Sequence, residues 1–276
     1  MKKIADLHTH STASDGQYTP GELAARVKER GIEVWALTDH DTTEGTDAAA
    51  AAAAALGIQF IRGVELSAKE YHTFHILGYG YRAGETPLAA FCRKMKQKRD
   101  TREGKILAYL RDYGFELTAA EVEALAGGQI IGRPHFAEAM VNRGYVANRR
   151  EAFDRYLDTD EYHDRVETGK PSVAECIDAV KSSGGVVSLA HPYQIGLEND
   201  RLDALIGTLK ELGLDAIECH YPKYAPEMSA FYLRLAKKYA LHITGGSDFH
   251  GERVKPDVAL SRWELDADWI LQEKGR

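Results

Sequence analysis

A short apolar run of strand length that ends in His, Asp or Glu recurs along this chain. Residues 4–7 run into His8 and His10, residues 34–37 into Thr38-Asp39-His40-Asp41, and residues 60–64 into Glu65. Residues 186–190 deliver His191, and residues 241–244 deliver Gly245-Gly246-Ser247-Asp248-Phe249-His250. Strand ends this far apart in sequence meet only if the strands lie side by side with those ends on one rim. That constraint selects an α/β fold, either a parallel barrel or an open sheet. A lone His is usually a packed or solvated residue. The candidates His8, His10, Asp15, His40, Glu65, His75, His191, Asp248 and His250, mostly at strand ends, point instead to a polynuclear metal hydrolase. His8 and His10 are two apart on an extended chain, so they project to one side and can share an ion.

Helical patterns separate most of the strands. Thr19 is the predicted N-cap and Pro20 the first residue of a helix that Gly31 ends. The alanine-rich residues 44–56 form a second helix, stopped by Gly57, and residues 72–81 are β-rich. Between residues 83 and 170 the rhythm breaks, because helical patterns at 86–113, 118–125, 134–142 and 149–156 follow one another without a strand. Residues 83–170 are therefore expected to be a helical insertion, and residues 1–82 and 171–276 the domain that carries it. Alternation resumes with helices at 172–183, 200–212 and 225–239 and strands at 186–190, 215–219 and 241–244.

A net charge of −7 and a pI near 5.9 argue against long duplex nucleic acid as a partner. Residues 93–111 depart from this balance, with eight Lys or Arg against Asp100 and Glu103. The stretch reads as a solvated helix face or as a lip that guides a phosphorylated substrate. The longest apolar run, the alanines from Ala48 with Leu56, is too short to span a bilayer. No export signal opens the chain, and a cytoplasmic location is expected. Cys92, Cys176 and Cys219 are odd in number and widely spaced, which fits neither a disulfide framework nor a C-x-x-C site.

Six imidazoles and three carboxylates suffice for three divalent ions if Glu65 bridges two of them. Mixed nitrogen and oxygen donors suit Mn, Fe or Zn better than Mg or Ca. Such a site would activate a bound water as nucleophile and stabilise negative phosphoryl oxygens.

His8-Thr9-His10 with Ser14-Asp15-Gly16, Thr38-Asp39-His40-Asp41, Gly63-Val64-Glu65, His75-Ile76-Leu77-Gly78, Ala190-His191-Pro192 and Gly246-Ser247-Asp248-Phe249-His250 resemble the successive motifs of the polymerase and histidinol phosphatase (PHP) superfamily. Within it the chain is most similar to small bacterial phosphoesterases acting on nucleoside 3′,5′-bisphosphates and short 5′-phosphorylated oligonucleotides. The resemblance implies a distorted (β/α)7 barrel with a helical insertion and a trinuclear site. His8, His10, Glu65 and Asp248 would hold one ion, Glu65, His75 and His191 a second, and Asp15, His40 and His250 a third. The His-Ile-Leu-Gly context assigns the second ion to His75 over His72. Asp39 and Asp41 are candidates to orient an imidazole through its other nitrogen.

Gly132-Arg133-Pro134-His135-Phe136 places Arg133 at a helix start, a setting that favours an anion. By resemblance, Arg133 and His135 would contact the phosphate that is not cleaved. Phe136 and Tyr162 read as core before they read as base-stacking residues. Relatives of the bisphosphate phosphatase type carry Gly-Lys-Pro-x-Tyr-Val where this chain has Asp160-Glu161-Tyr162-His163-Asp164-Arg165-Val166, and Gly169-Lys170-Pro171 comes later. Lys170 either reaches a phosphate or only precedes the helix from Ser172, and His220 is a candidate at the mouth; His163 and His242 read as structural. The expected activity is hydrolysis of nucleotide phosphate esters by an ion-bound hydroxide. Two alternatives remain at this point: histidinol-phosphate hydrolysis on the same barrel, and a non-catalytic, metal-stabilised module serving a partner protein.

Overall fold

The computed structural model describes residues 1–71, 73–126, 131–166 and 169–272. His72 lies outside them. The chain forms two compact units, Met1–Arg93 with Pro171–Arg276, and Lys94–Lys170. Among the described residues no helix is long and apolar enough to cross a membrane.

The first unit contains β1 (Lys3–Asp6), α1 (Pro20–Glu29), β2 (Val34–Leu37), α2 (Thr46–Ala55), β3 (Gln59–Ser67) and β4 (His75–Tyr79). α3 (Pro87–Asp112) leads out of it into the second unit, which continues with α4 (Ala119–Ala126), α5 (Arg133–Asn142), α6 (Arg149–Ala152) and α7 (Asp160–Arg165). After the return come α8 (Val173–Ser182), β5 (Val186–Leu189), α9 (Asn199–Glu211), β6 (Ala216–His220), α10 (Pro226–Lys238), β7 (His242–Gly245), β8 (Trp263–Leu265) and α11 (Asp268–Gln272). α1 begins as its sequence predicts: Thr19 and Glu22 form a reciprocal capping box, with Pro20 at the first position.

One eight-stranded sheet runs in the order β7-β6-β5-β4-β3-β2-β1-β8, and it is nearly closed. The Leu7 N–H donates to the Gly245 carbonyl at 3.1 Å, so the ends of β1 and β7 meet. β8 pairs antiparallel with the edge of β1 opposite β2. The strand-helix alternation predicts a parallel barrel or an open α/β sheet, and β4 departs from the parallel course by running antiparallel to both β3 and β5. The reason lies in the connection. Among the described residues between Ser67 and His75 there is no helix to carry the chain back along the barrel, so β4 returns in the opposite direction. This reversal is the distortion of the (β/α)7 pattern. β8 and α11 escape the sequence patterns because three and five residues are too few to show a period.

Strand alternation sorts the side chains. Val34 and Ala36 of β2 join Ala5, Leu7, Ile61, Leu77 and Tyr79 in one buried cluster. Trp35 and Leu37 pack from the other face with Leu23, Ala24 and Val27 of α1 and Ala49 and Ala53 of α2. On β3, Val64 and Leu66 face the α8 side chains Cys176, Ile177 and Val180, which leaves Glu65 turned the opposite way and fully buried. The second unit has its own core of Ile106, Tyr109, Leu110, Phe136, Met140, Leu157 and Tyr162. Phe136 and Tyr162 are thus packing residues.

Gly246 marks the tightest approach at the seam. A Cβ there would lie 2.3 Å from His8 Cβ and 2.5 Å from His8 N. Gly246→Ala is expected to destabilise the fold by more than about 2 kcal/mol. Gly21→Ala on α1, where a Cβ meets nothing within 4 Å, should be neutral or stabilising by up to about 1 kcal/mol. Denaturant unfolding of the two variants checks the contrast, and equal stabilities would refute it.

Candidate metal centre

The antiparallel course of β4 decides which residues can meet. The parallel strands present their C-terminal ends at one rim, and β4 presents its first residue there, so that His75 pairs with Ser67 at the end of β3. His8 and His10 follow β1, His40 follows β2, Glu65 lies near the end of β3, His191 follows β5, and Asp248 and His250 follow β7. Between the first two imidazoles, Thr9 is tied to β2. Its hydroxyl donates to the Ala36 carbonyl at 2.9 Å and accepts from the Trp35 indole at 2.8 Å. Both flanking imidazoles therefore leave on the opposite side.

Glu65 is the centre of the cluster. Its Oε2 lies 3.2 Å from His8 Nε2, 3.2 Å from His10 Nε2 and 3.1 Å from His40 Nδ1. Its Oε1 lies 2.9 Å from His75 Nδ1 and 2.8 Å from His191 Nε2. The two oxygens thus address different sets of imidazoles, as a bridging carboxylate must. Asp248 Oδ1 comes within 3.3 Å of His10 Nε2 and His250 Nδ1, and His250 Nε2 within 3.3 Å of Asp15. Among the described residues three groups of donor atoms result, the atoms of each lying within 4.8 Å of one another: His8, His10, Glu65 and Asp248; His10, Asp15, His40 and His250; and His40, Glu65 and His75. His191 joins through Glu65.

Glu65 Oε1 is hydrogen-bonded to His75 Nδ1 and His191 Nε2, whereas other atoms of the cluster lack partners. His8 Nε2, both ring nitrogens of His10, Glu65 Oε2 and His191 Nδ1 are buried and have no hydrogen-bond partner. Buried polar atoms are normally satisfied, and a set of donors converging on a few points fits divalent cations. Charge agrees with geometry. Burial raises the cost of ionising Glu65, yet His40, His8 and His75 hold its carboxyl well below the usual range. Asp248 is held low in the same way by His10 and His8, and Asp15 by His40 and His250. Burial pushes His40 down to about 3, against the opposing pull of Glu65 and Asp15. His10 goes the other way: against its burial, Asp248 and Glu65 carry it up to about 9. The carboxylates call for positive charge beside them.

The cluster is closed on one side and open on the other. His8, His10, Glu65, His191, Asp248 and His250 are buried, whereas the side chains of Asp15, His40 and His75 are 44%, 21% and 18% exposed. A ligand approaching from solvent meets those three first. The backbone is strained at the same place: Asp41, His191 and Asp248 have positive φ values of 51°, 22° and 55°.

One residue of this centre has no counterpart among the sequence candidates. Glu218, fully buried on β6, takes His8 Nδ1 at 3.1 Å on one oxygen and the His191 N–H at 2.7 Å on the other. It fixes His8 so that Nε2 faces Glu65. A carboxylate between Ile217 and Cys219 on a strand was the available signal. Asp39 serves differently from the expected imidazole partner, accepting from the Ser11 amide and hydroxyl and from the Ser14 hydroxyl to shape the loop that carries Asp15. Asp41 accepts from the Ser67 amide and hydroxyl. His220 stacks on Trp263, and His242 on Trp269.

In the second unit Arg133 opens α5. Its Nη1 donates to the Leu157 carbonyl at 3.0 Å and to Asp158 at 2.7 Å. His135 Nδ1 accepts the Gly132 N–H at 3.0 Å, and burial lowers its pKa.

Glu218→Ala should weaken divalent-ion binding by about ten- to a hundredfold, read by titrating metal-freed protein with Mn²⁺; unchanged affinity would remove Glu218 from the site.

The chain aligns with known proteins over most of its length. It is 35% identical over 254 residues to a 5′-3′ exoribonuclease of Haemophilus influenzae, covering 91% of each chain. It is 35% identical over 263 residues to a 3′,5′-nucleoside bisphosphate phosphatase of Chromobacterium violaceum, covering 89% of this chain and 86% of that one. The structure of an amidohydrolase from Chromobacterium violaceum with bound sulfate superposes with a TM-score of 0.80 at 29% identity, over 98% of this chain and 96% of the other. The PHP domain profile matches residues 6–164. With its motifs at one rim of a nearly closed barrel, the chain belongs to the PHP domain family.

Proposed function

We propose that this chain, a metal-dependent phosphoesterase, hydrolyses phosphate esters of small nucleotides, either nucleoside 3′,5′-bisphosphates or short 5′-phosphorylated oligonucleotides. The observation that carries this reading is the division of Glu65 between two sets of imidazoles, with Asp15, His40 and His75 open to solvent. His8, His10, Glu65 and Asp248 would hold one ion. Glu65, His75 and His191 would hold the next, and Asp15, His40 and His250 the third. When bound, such ions supply Lewis acidity and an activated water for attack on phosphorus. The chain's own part is placement: Glu218 fixes an imidazole, Asp39 shapes the Asp15 loop, and the exposed rim leaves room for a phosphate. Mn, Fe and Zn all suit the donor set.

Substrate choice is assigned to the relatives' shared chemistry. The exoribonuclease and the bisphosphate phosphatase are named for substrates with more than one phosphate or a phosphodiester, which suits a cationic site with an additional anion contact. Arg133 and His135 are carried as candidates for that contact, and the basic stretch at 93–111 as a guide for longer anions. A cytoplasmic location fits such substrates. The ligand set offers no reason for a non-catalytic module to keep nine donors.

Purified protein should carry more than two equivalents of divalent transition metal, and chelation should abolish phosphate release from adenosine 3′,5′-bisphosphate or a short 5′-phosphorylated RNA. Elemental analysis giving one equivalent or less in active protein would sink the three-ion reading, and turnover of histidinol phosphate alone would transfer the activity to that substrate.

Arg133→Ala should lower kcat/KM for the bisphosphate by about ten- to a hundredfold while barely changing p-nitrophenyl phosphate hydrolysis. An equal loss on both substrates would confine Arg133 to its bonds with Leu157 and Asp158.

A further inference from the structure

Asp248 is held from behind by two donors. Tyr221 Oη and Lys255 Nζ each lie 2.8 Å from its Oδ2. The other oxygen, Oδ1, faces His10, His250 and His8 at 3.3, 3.3 and 3.7 Å. With Oδ2 saturated, Asp248 can offer the cluster one oxygen only. Neither partner belongs to a sequence motif. Tyr221 follows β6 and is buried, and its own position is supported by the Gln194 amide at 3.3 Å. Lys255 comes from the loop after His250, and its side chain is a third exposed. That loop is pinned to the barrel: the Arg253 N–H donates to Gln17 Oε1, the Lys255 N–H to the Gly251 carbonyl, and Gln17 N–H to the His250 carbonyl.

The two donors differ in kind. A phenol directs the carboxylate without altering the net charge, whereas an ammonium adds a full positive charge on the far side of a metal-ligating carboxylate. We infer that Tyr221 and Lys255 are positioning residues that make Asp248 a single-oxygen ligand, and that Lys255 in addition weakens its donation to the cluster, keeping the ion there more electrophilic at the expense of affinity. This rests on the reading of the cluster as a metal centre. Lys255 acts through Asp248, whose Oδ2 it contacts.

The charge argument fixes opposite signs for the two residues. Removing the ammonium relieves repulsion of a cation, while removing the phenol only loosens the carboxylate. In calorimetric titration of chelator-stripped protein with Mn²⁺, Lys255→Met should bind about three- to tenfold more tightly. Tyr221→Phe should bind more weakly by about the same factor. With a phosphate ester that the wild type hydrolyses, Lys255→Met should lose about tenfold in kcat at a KM within about twofold of wild type. Lys255→Arg should restore both readouts, and Lys255→Gln provides a second neutral variant if the Met protein does not fold. Weaker Mn²⁺ binding by both neutral variants would overturn the inference, leaving Lys255 a structural residue. A rise in KM with kcat unchanged would also overturn it, making Lys255 a substrate contact. If the wild type hydrolyses none of the esters, the proposed activity fails, and the signs of the two affinity changes still decide this inference.

Discussion

A carboxylate buried on every side is the element on which the structure depends. Glu65 is fully removed from water, and a buried ionised carboxylate is sustained only by charge and hydrogen bonds around it. Five imidazoles from four different segments supply that environment. Everything else in the barrel serves to deliver them. The apolar residues on alternate strand positions bury the sheet against helices, the Thr9 hydroxyl anchors the two-histidine segment to β2, and Glu218 turns His8 to face the cluster. The same environment explains the divergent proton affinities of neighbouring imidazoles: burial draws His40 down, whereas His10 lies where two carboxylates converge.

The reversed strand matters to function because it changes what chain direction means at the rim. In a uniformly parallel barrel, ligands follow strands. Here one candidate ligand, His75, opens its strand, and it reaches the cluster only because β4 runs backwards. The left-handed backbone at His191 and Asp248 makes a related adjustment, bending the chain sharply just past a strand so that a side chain turns into the cluster. Strain of this kind persists where surrounding contacts fix the conformation, and at both positions hydrogen bonds from the backbone, the His191 N–H to Glu218 and the Asp248 N–H to the His8 carbonyl, do so.

The strand-end positions of most of the nine candidate donor residues were legible because barrel strands write short apolar runs and the chemistry sits at their ends. So was the helical character of residues 87–112, where no strand interrupts the pattern. Glu218 was harder to see, since an inward polar residue inside a buried strand looks the same in sequence whether it faces a ligand or packs against a hydroxyl. Tyr221 and Lys255 were invisible for another reason: their roles depend on loop conformations that bring residues 221, 248 and 255 together, and no periodicity encodes that. Phe136 and Tyr162, read first as core, do lie in the core of the second unit. β8 left no trace, being three residues long.

The seam between β1 and β7 gives the metal centre a mechanical meaning. The sheet closes there through few bonds, among them Leu7 to Gly245 and Asp248 to His8, and it joins the first strand of the chain to one more than two hundred residues later. His8 and Asp248 stand on opposite sides of that seam, with Glu65 opposite both. A cation held among them would act as a rivet across a very long chain loop, in the way that any cross-link between distant residues restricts the unfolded chain more than a local one does. Loss of the ion would then be felt first as opening of the barrel along one line, with the helices still packed on their strands.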